Sequence, residues 1–158
     1  MNSSSITVPA SLDSLNEVRL FIRTAAAMAK LDQKSAYKLQ LAVDEIATNV
    51  ILHGYQESGL EGDLEISASV EDHELRIELR DRAVPFDPLQ HVMPENLDTP
   101  LGDRPIGGLG IFLAIQNVSK FSYEFRHGQN VNIFQVELPT PTAEHPAEEP
   151  PADAGREE

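Results

Sequence analysis

The sequence predicts an α+β fold: a two-layer sandwich in which a mixed, mostly antiparallel sheet of about five strands carries three helices on one face. Two pairs of short segments alternate apolar and polar residues, and each pair is joined by a tight turn. Three other segments repeat apolar residues at helical spacing. Strands with one polar face imply a sheet covered by helices on its other side only. With 158 residues, 41% of them apolar, the chain can bury a core of that kind as one domain.

Each element has its own signal. Residues 3–8 put Ile6 and Val8 on one side of a short edge strand, which Pro9 breaks. Ser11 or Ser14 then opens a first helix, and Ser14 with Glu17 has capping-box spacing. Leu15, Val18, Phe21, Ile22, Ala25, Ala26 and Met28 form its stripe, to about Lys30. Asp32 is the expected N-cap of a second helix that runs to about His53. Its inward stripe is Leu39, Ala42, Val43, Ile46, Ala47 and Val50. After a loop marked by Gly54, Gly59 and Gly62 come strands 64–70 and 75–80, with a tight turn at 71–73 and Asp81 at the end. Residues 82–106 are proline-rich and without periodicity, and so long a loop is read as a functional or mobile lid. Gly107, Gly108 and Gly110 lead into a third helix carrying Ile111, Phe112, Leu113, Ile115 and Val118. Strands 120–126 and 131–138 pair through a turn at 127–130. The domain therefore covers 1–139. Residues 140–158 form a Pro-, Ala- and Glu-rich acidic tail, expected to be disordered because it has almost nothing apolar to bury.

Composition excludes several classes. The chain has no cysteine, so disulfides and thiolate metal sites are ruled out. No run reaches the roughly 18 apolar residues of a membrane helix. Residues 1–5 lack the basic-then-apolar pattern of a secretory signal, so the expected location is the cytoplasm. The net charge is −14, of which −5 belongs to the tail and −9 to the rest. So acidic a body repels phosphate backbones and anionic lipid, and neither nucleic acid nor membrane is an expected partner.

Three sets of residues can carry chemistry. Glu45, Asn49 and His53 are spaced i, i+4, i+8, which places them on one helical face beside the apolar stripe. There a carboxylate can take a proton from a nucleophile, and an amide oxygen can ligate a hard cation such as Mg²⁺. On spacing alone, the row reads more readily as a solvent-facing helix edge. Asp81, where a strand runs out into a loop, can accept a hydrogen bond from an exocyclic amine or can cap a turn. The glycines at 107, 108 and 110 offer free N–H groups and a helix N-terminus to an anion, or serve as a plain loop-to-helix joint. The chain has no GxxxxGK[ST] loop, no HExxH and no GxSxG elbow, so P-loop, zincin and serine-hydrolase chemistries fall away.

In this order the three segments resemble the GHKL (Bergerat-fold) ATPase pattern, and within it the bacterial anti-sigma-factor serine/threonine kinases. "LAVDEIATNVILHGY" is similar to the family's N box, "DRAVPFDP" to its first glycine box and "GGLGIFLA" to its second. The resemblance spans roughly residues 5–138. It implies Glu45 as the catalytic base, Asn49 as the Mg²⁺ ligand and Asp81 as the adenine-reading carboxylate. It also implies Gly108 and Gly110 as lid glycines near the phosphates, Arg104 as a γ-phosphate contact and Asn130 as a polar nucleotide contact. Ala83 departs from the pattern, which usually has glycine there. Alanine resists positive φ and adds a methyl near the expected adenine pocket, at some expense to nucleotide affinity. The function implied is that of an ATP- and Mg²⁺-dependent protein serine/threonine kinase. It would act as an anti-sigma regulator, binding a sigma factor and phosphorylating a STAS-type antagonist, with a homodimer as the usual assembly. The rival is an ATP-binding module that sequesters a partner without phosphoryl transfer. A stand-alone ATPase is a third reading, weakened by the absence of a further domain to use the energy.

Overall fold

A computed structural model describes residues 3–91 and 108–139. The elements in order are β1 (Ser3–Pro9), α1 (Leu15–Met28), α2 (Gln33–Asn49), a π-helical segment (Val50–Gln56), β2 (Asp63–Glu71), β3 (Glu74–Asp81), α3 (Gly108–Gln116), β4 (Lys120–Arg126) and β5 (Gln129–Glu137). Short 3₁₀ turns at Leu12–Ser14 and Pro88–His91 complete them. The sheet order is β1-β2-β3-β5-β4, and every pairing is antiparallel where the sequence predicts a mixed sheet. Both hairpins close through two residues of positive φ, Asp72 and His73 in one and His127 and Gly128 in the other. Left-handed pairs of this kind match the twist of the strands they join.

Alternation sorts the sheet into two faces. Leu64, Ile66 and Ala68 of β2, Leu75, Ile77 and Leu79 of β3, and Phe134 and Val136 of β5 are buried on the helix side. They meet Val18, Ile22 and Ala26 of α1, Leu39, Val43 and Ile46 of α2, and Ile111 and Ala114 of α3 in a single core. Phe121 and Phe134 pack edge to face with centroids 5.2 Å apart. The central helix is α2, which touches α1 on one flank and α3 on the other. Arg19 of α1 donates from Nε and Nη2 to both oxygens of Asp44, fixing how the first two helices lie. The outer face carries an ionic ladder in which Glu78 accepts from Arg76 and Arg80, and Arg80 also reaches Glu65. By register, Val131 and Ile133 lie beside these long side chains and are buried even on this face.

Two local expectations are corrected. The Ser14–Glu17 capping box does not form, because Ser14 already has helical backbone (φ −83°, ψ −10°) and is 7% exposed. A capping hydroxyl needs extended backbone. Ser11 has it, and accepts from the Asp13 N–H at the start of the 3₁₀ turn. The second helix keeps α geometry only to Asn49, and from Val50 it widens into a π-helix. Asp32 does cap α2, accepting from the Ser35 N–H at 3.0 Å.

Candidate nucleotide site

The site is assembled where the end of α2 meets the end of β3 and the start of α3. Glu45 and Asn49 lie one turn apart on α2, and Asn49 Nδ2 donates to Glu45 Oε2 at 3.4 Å. That leaves the amide oxygen of Asn49 free to face a cation. Gly110, in the first turn of α3, lies directly against the Glu45 carboxylate: a Cβ there would be 2.3 Å from Glu45 Oε2. A side chain at 110 would have to push that carboxylate aside; Glu45, Asn49 and Gly110 thus lie together, with Gly108 opening the same helix. His53 does not join them. It pairs instead with Glu57, with Nδ1 and Oε2 2.8 Å apart and the imidazole 43% exposed.

Asp81 closes β3 on the helix-facing side and is 1% exposed. Its Oδ1 accepts from Asn130 Nδ2 at 2.8 Å and from the Ala83 N–H at 3.0 Å. Its Oδ2 is buried with no hydrogen-bond partner. Burial pushes the Asp81 carboxyl above the usual range, against the pull of the Asn130 and Ala83 hydrogen bonds. Asn130, its register partner on β5, is used at both ends of its amide. Besides Asp81, Nδ2 reaches the carbonyl oxygens of Ala83 and Val84, while Oδ1 accepts from the Phe86 N–H and the Tyr123 hydroxyl. Asn130 thus ties Asp81, the loop that follows it and β4 into one network.

The two halves of the site are joined through the π segment. Tyr55 is 2% exposed, and its hydroxyl accepts from the Arg82 N–H at 2.8 Å and donates to the Asp63 carbonyl at 3.2 Å. Gly54 lies against Ala83, whose backbone is outside the left-handed region and whose methyl is packed against this helix end. The departure from glycine at position 83 therefore brings no backbone strain. Arg104 lies outside the described residues, as do the rest of residues 92–106 of the expected lid, Gly107 and the tail at 140–158. Sequence reasoning assigns no role to Tyr55 and Tyr123. Tyr123 has a weak signal, a phenol at an inward position of an alternating strand, whereas Tyr55 owes its place to the π turns and has none.

Among the described residues, no helix is long and apolar enough to cross a membrane. Residues 8–135 match the family described as histidine kinase-like ATPase domain. The chain is 32% identical over 95 residues to the anti-sigma F factor of Clostridium acetobutylicum, a stretch covering 60% of this chain and 64% of that protein. It thus spans just under two thirds of that relative's length. It is 31% identical over 113 residues to the serine-protein kinase RsbW of Halalkalibacterium halodurans, covering 68% of this chain and 67% of the other. The crystal structure of the RsbU and RsbW domains of a Mycobacterium tuberculosis protein has the same fold, with a TM-score of 0.61 at 19% identity over 87% of this chain and 33% of that one. Five antiparallel strands under three helices, an Asn-bearing central helix and the match over 8–135 agree: this chain belongs to the histidine kinase-like ATPase domain family.

Proposed function

We propose that the chain binds Mg²⁺–ATP and transfers the γ-phosphoryl group to a serine or threonine of a STAS-type antagonist, and that it also binds a sigma factor as an anti-sigma regulator in the cytoplasm. The observation that carries the nucleotide reading is Asp81. Its carboxylate is buried with one oxygen held by Asn130 and Ala83 and the other without a partner, which suits an exocyclic amine as donor. The names of the anti-sigma F factor and of RsbW support the regulatory half of the reading.

Each residue has a task in this reading. Asn130 holds Asp81 and the loop after it in place, and the Asn49 amide oxygen ligates Mg²⁺. Glu45 accepts the proton of the attacking hydroxyl as that oxygen bonds to phosphorus and the bond to the bridging oxygen breaks. Gly108 and Gly110 bring the N–H groups of α3 close to the phosphates, and Arg104 meets the γ-phosphate. Mg²⁺ supplies charge neutralisation, and positioning does most of the remaining work in phosphoryl transfer. A homodimer is the expected assembly.

Incubation with γ-labelled ATP, Mg²⁺ and a STAS-type protein tests the reading. Label on the antagonist is the expected result. Bound ATP without turnover would leave a partner-sequestering module, and free phosphate alone would leave an ATPase.

A further inference from the structure

Asn132 is a carboxamide where the fold wants an apolar residue. It is 1% exposed on the helix-facing side of β5, paired with Leu79 of β3 and Tyr123 of β4. The next residues of that strand on the same face, Phe134 and Val136, are buried and apolar. Asn130 uses both ends of its amide, whereas Asn132 leaves Oδ1 buried without a hydrogen-bond partner. An unserved buried acceptor destabilises a fold, and leucine would fill much the same space without that penalty.

The other side-chain atom of this kind among the described residues is Asp81 Oδ2. Because Asp81 pairs with Asn130, Asp81 and Asn132 are diagonal neighbours across β3 and β5 on one face, a separation of roughly 7–8 Å between backbones. Two unserved acceptors so placed call for one group with two hydrogens to give. An unsubstituted exocyclic amine on a purine has two, diverging in the plane of the ring. A carbonyl at the same ring position, as in guanine, has none and would face both oxygens with a third.

We propose that Asn132 is a second base-reading residue: Asp81 Oδ2 accepts one hydrogen of the exocyclic amine and Asn132 Oδ1 accepts the other. The site then selects not only adenine over guanine but an unsubstituted amine over an alkylated one. This rests on the reading of Asp81 as the base contact, and the experiment separates the two. It also accounts for the presence of a destabilising amide in the core.

The test is calorimetric titration of the full chain in Mg²⁺ with ATP, N6-methyl-ATP and GTP, for wild type, Asn132→Leu and Asn132→Val. Valine serves if leucine does not fit, and circular dichroism establishes that each variant is folded. Wild type is expected to bind ATP about three- to tenfold more tightly than N6-methyl-ATP, the scale of one hydrogen bond. Both variants should bind the two adenine nucleotides within about twofold of each other. Without nucleotide, both should melt a few degrees above wild type, roughly the shift that relieving one buried acceptor gives a domain of this size. A wild type indifferent to N6-methylation, or variants that keep its preference, would overturn the role of Asn132 and leave that of Asp81 standing. A wild type that binds neither adenine nucleotide overturns both.

Discussion

Gly54 and Ala83 fit as a pair: a Cβ added to Gly54 would come within 2.9 Å of the Ala83 methyl. The contact fastens the end of the α2 arm to the turn that follows Asp81, so it links the Glu45–Asn49 half of the site to the Asp81 half. Gly54→Ala should overpack this joint and destabilise the domain by about 1–3 kcal/mol. Ala83→Gly added to it should recover most of that loss, giving a coupling that denaturant unfolding of the two single variants and the double variant measures. Additive effects would show that the two residues do not share the space.

Glu45 and Asn49 should separate in function although they are hydrogen-bonded neighbours. Asn49→Ala removes the proposed metal ligand, so Mg²⁺–ATP binding and transfer fall together. Glu45→Ala leaves nucleotide binding intact and lowers transfer by about 10²–10⁴, the usual range for a general base. Single-turnover transfer together with equilibrium binding distinguishes them. Wild-type transfer by Glu45→Ala would remove Glu45 from the mechanism.

Asp81 should make adenine-nucleotide binding sensitive to acid. Burial raises its carboxyl above the ordinary range, so on acidification it takes up a proton earlier than an exposed aspartate does. The protonated group offers a donor where the amine needs an acceptor. Affinity should therefore fall as pH drops through that raised value, by about tenfold per pH unit once below it. Without nucleotide the sign reverses. A raised folded pKa means the charged form weakens the fold at neutral pH, so Asp81 contributes more stability as pH falls. Titration of ATP between pH 7 and pH 4, paired with melting curves of the unliganded protein, reads both effects.

Glu78 should behave in the opposite sense. Burial raises its pKa, but Arg76 and Arg80 outweigh that and hold it below the ordinary range. A depressed folded pKa gives stability that is present above the unfolded value and lost as pH falls through the folded one. Glu78→Gln should cost about 1 kcal/mol near pH 7 and almost nothing at a pH where Glu78 is protonated in both states. An equal loss at both pH values would mean that packing, not charge, sets the contribution of this residue.

Periodic features were the legible part of this protein. The alternation in β2, β3, β4 and β5, the stripe of α2 and the Asp32 cap follow from residue type and spacing, and the structure reproduces them. Asp81 and Asn130 could be singled out by sequence motif, but their hydrogen bond could not. It depends on the β3–β5 register, which pairs residues 49 positions apart. Nothing in "NVILHGY" announces that the helix changes pitch after Asn49, so the packing of Gly54 and Tyr55 could not be read from the sequence. Asn132 went unremarked for a related reason. A polar residue within an alternating strand reads as outward, and only the register shows that it points among the helices.

A π turn is a helix holding one residue more than its length requires, and Glu57 donating to Leu52 and Leu60 to Tyr55, each five residues back, are what that surplus looks like. The surplus residue sets the phase of everything after it. Deleting one residue from the middle of Val50–Gln56 would let the segment close as a regular helix, a local gain in hydrogen-bond geometry. It would also turn Gly54 and Tyr55 by roughly 100° about the axis, away from Ala83, Arg82 and Asp63. The same deletion in the loop at 57–62 changes no helical phase. The chain should therefore tolerate shortening beyond Glu57 far better than shortening before it, and a relative lacking that single residue would need a different anchor between the helix that carries Glu45 and Asn49 and the strand that ends at Asp81.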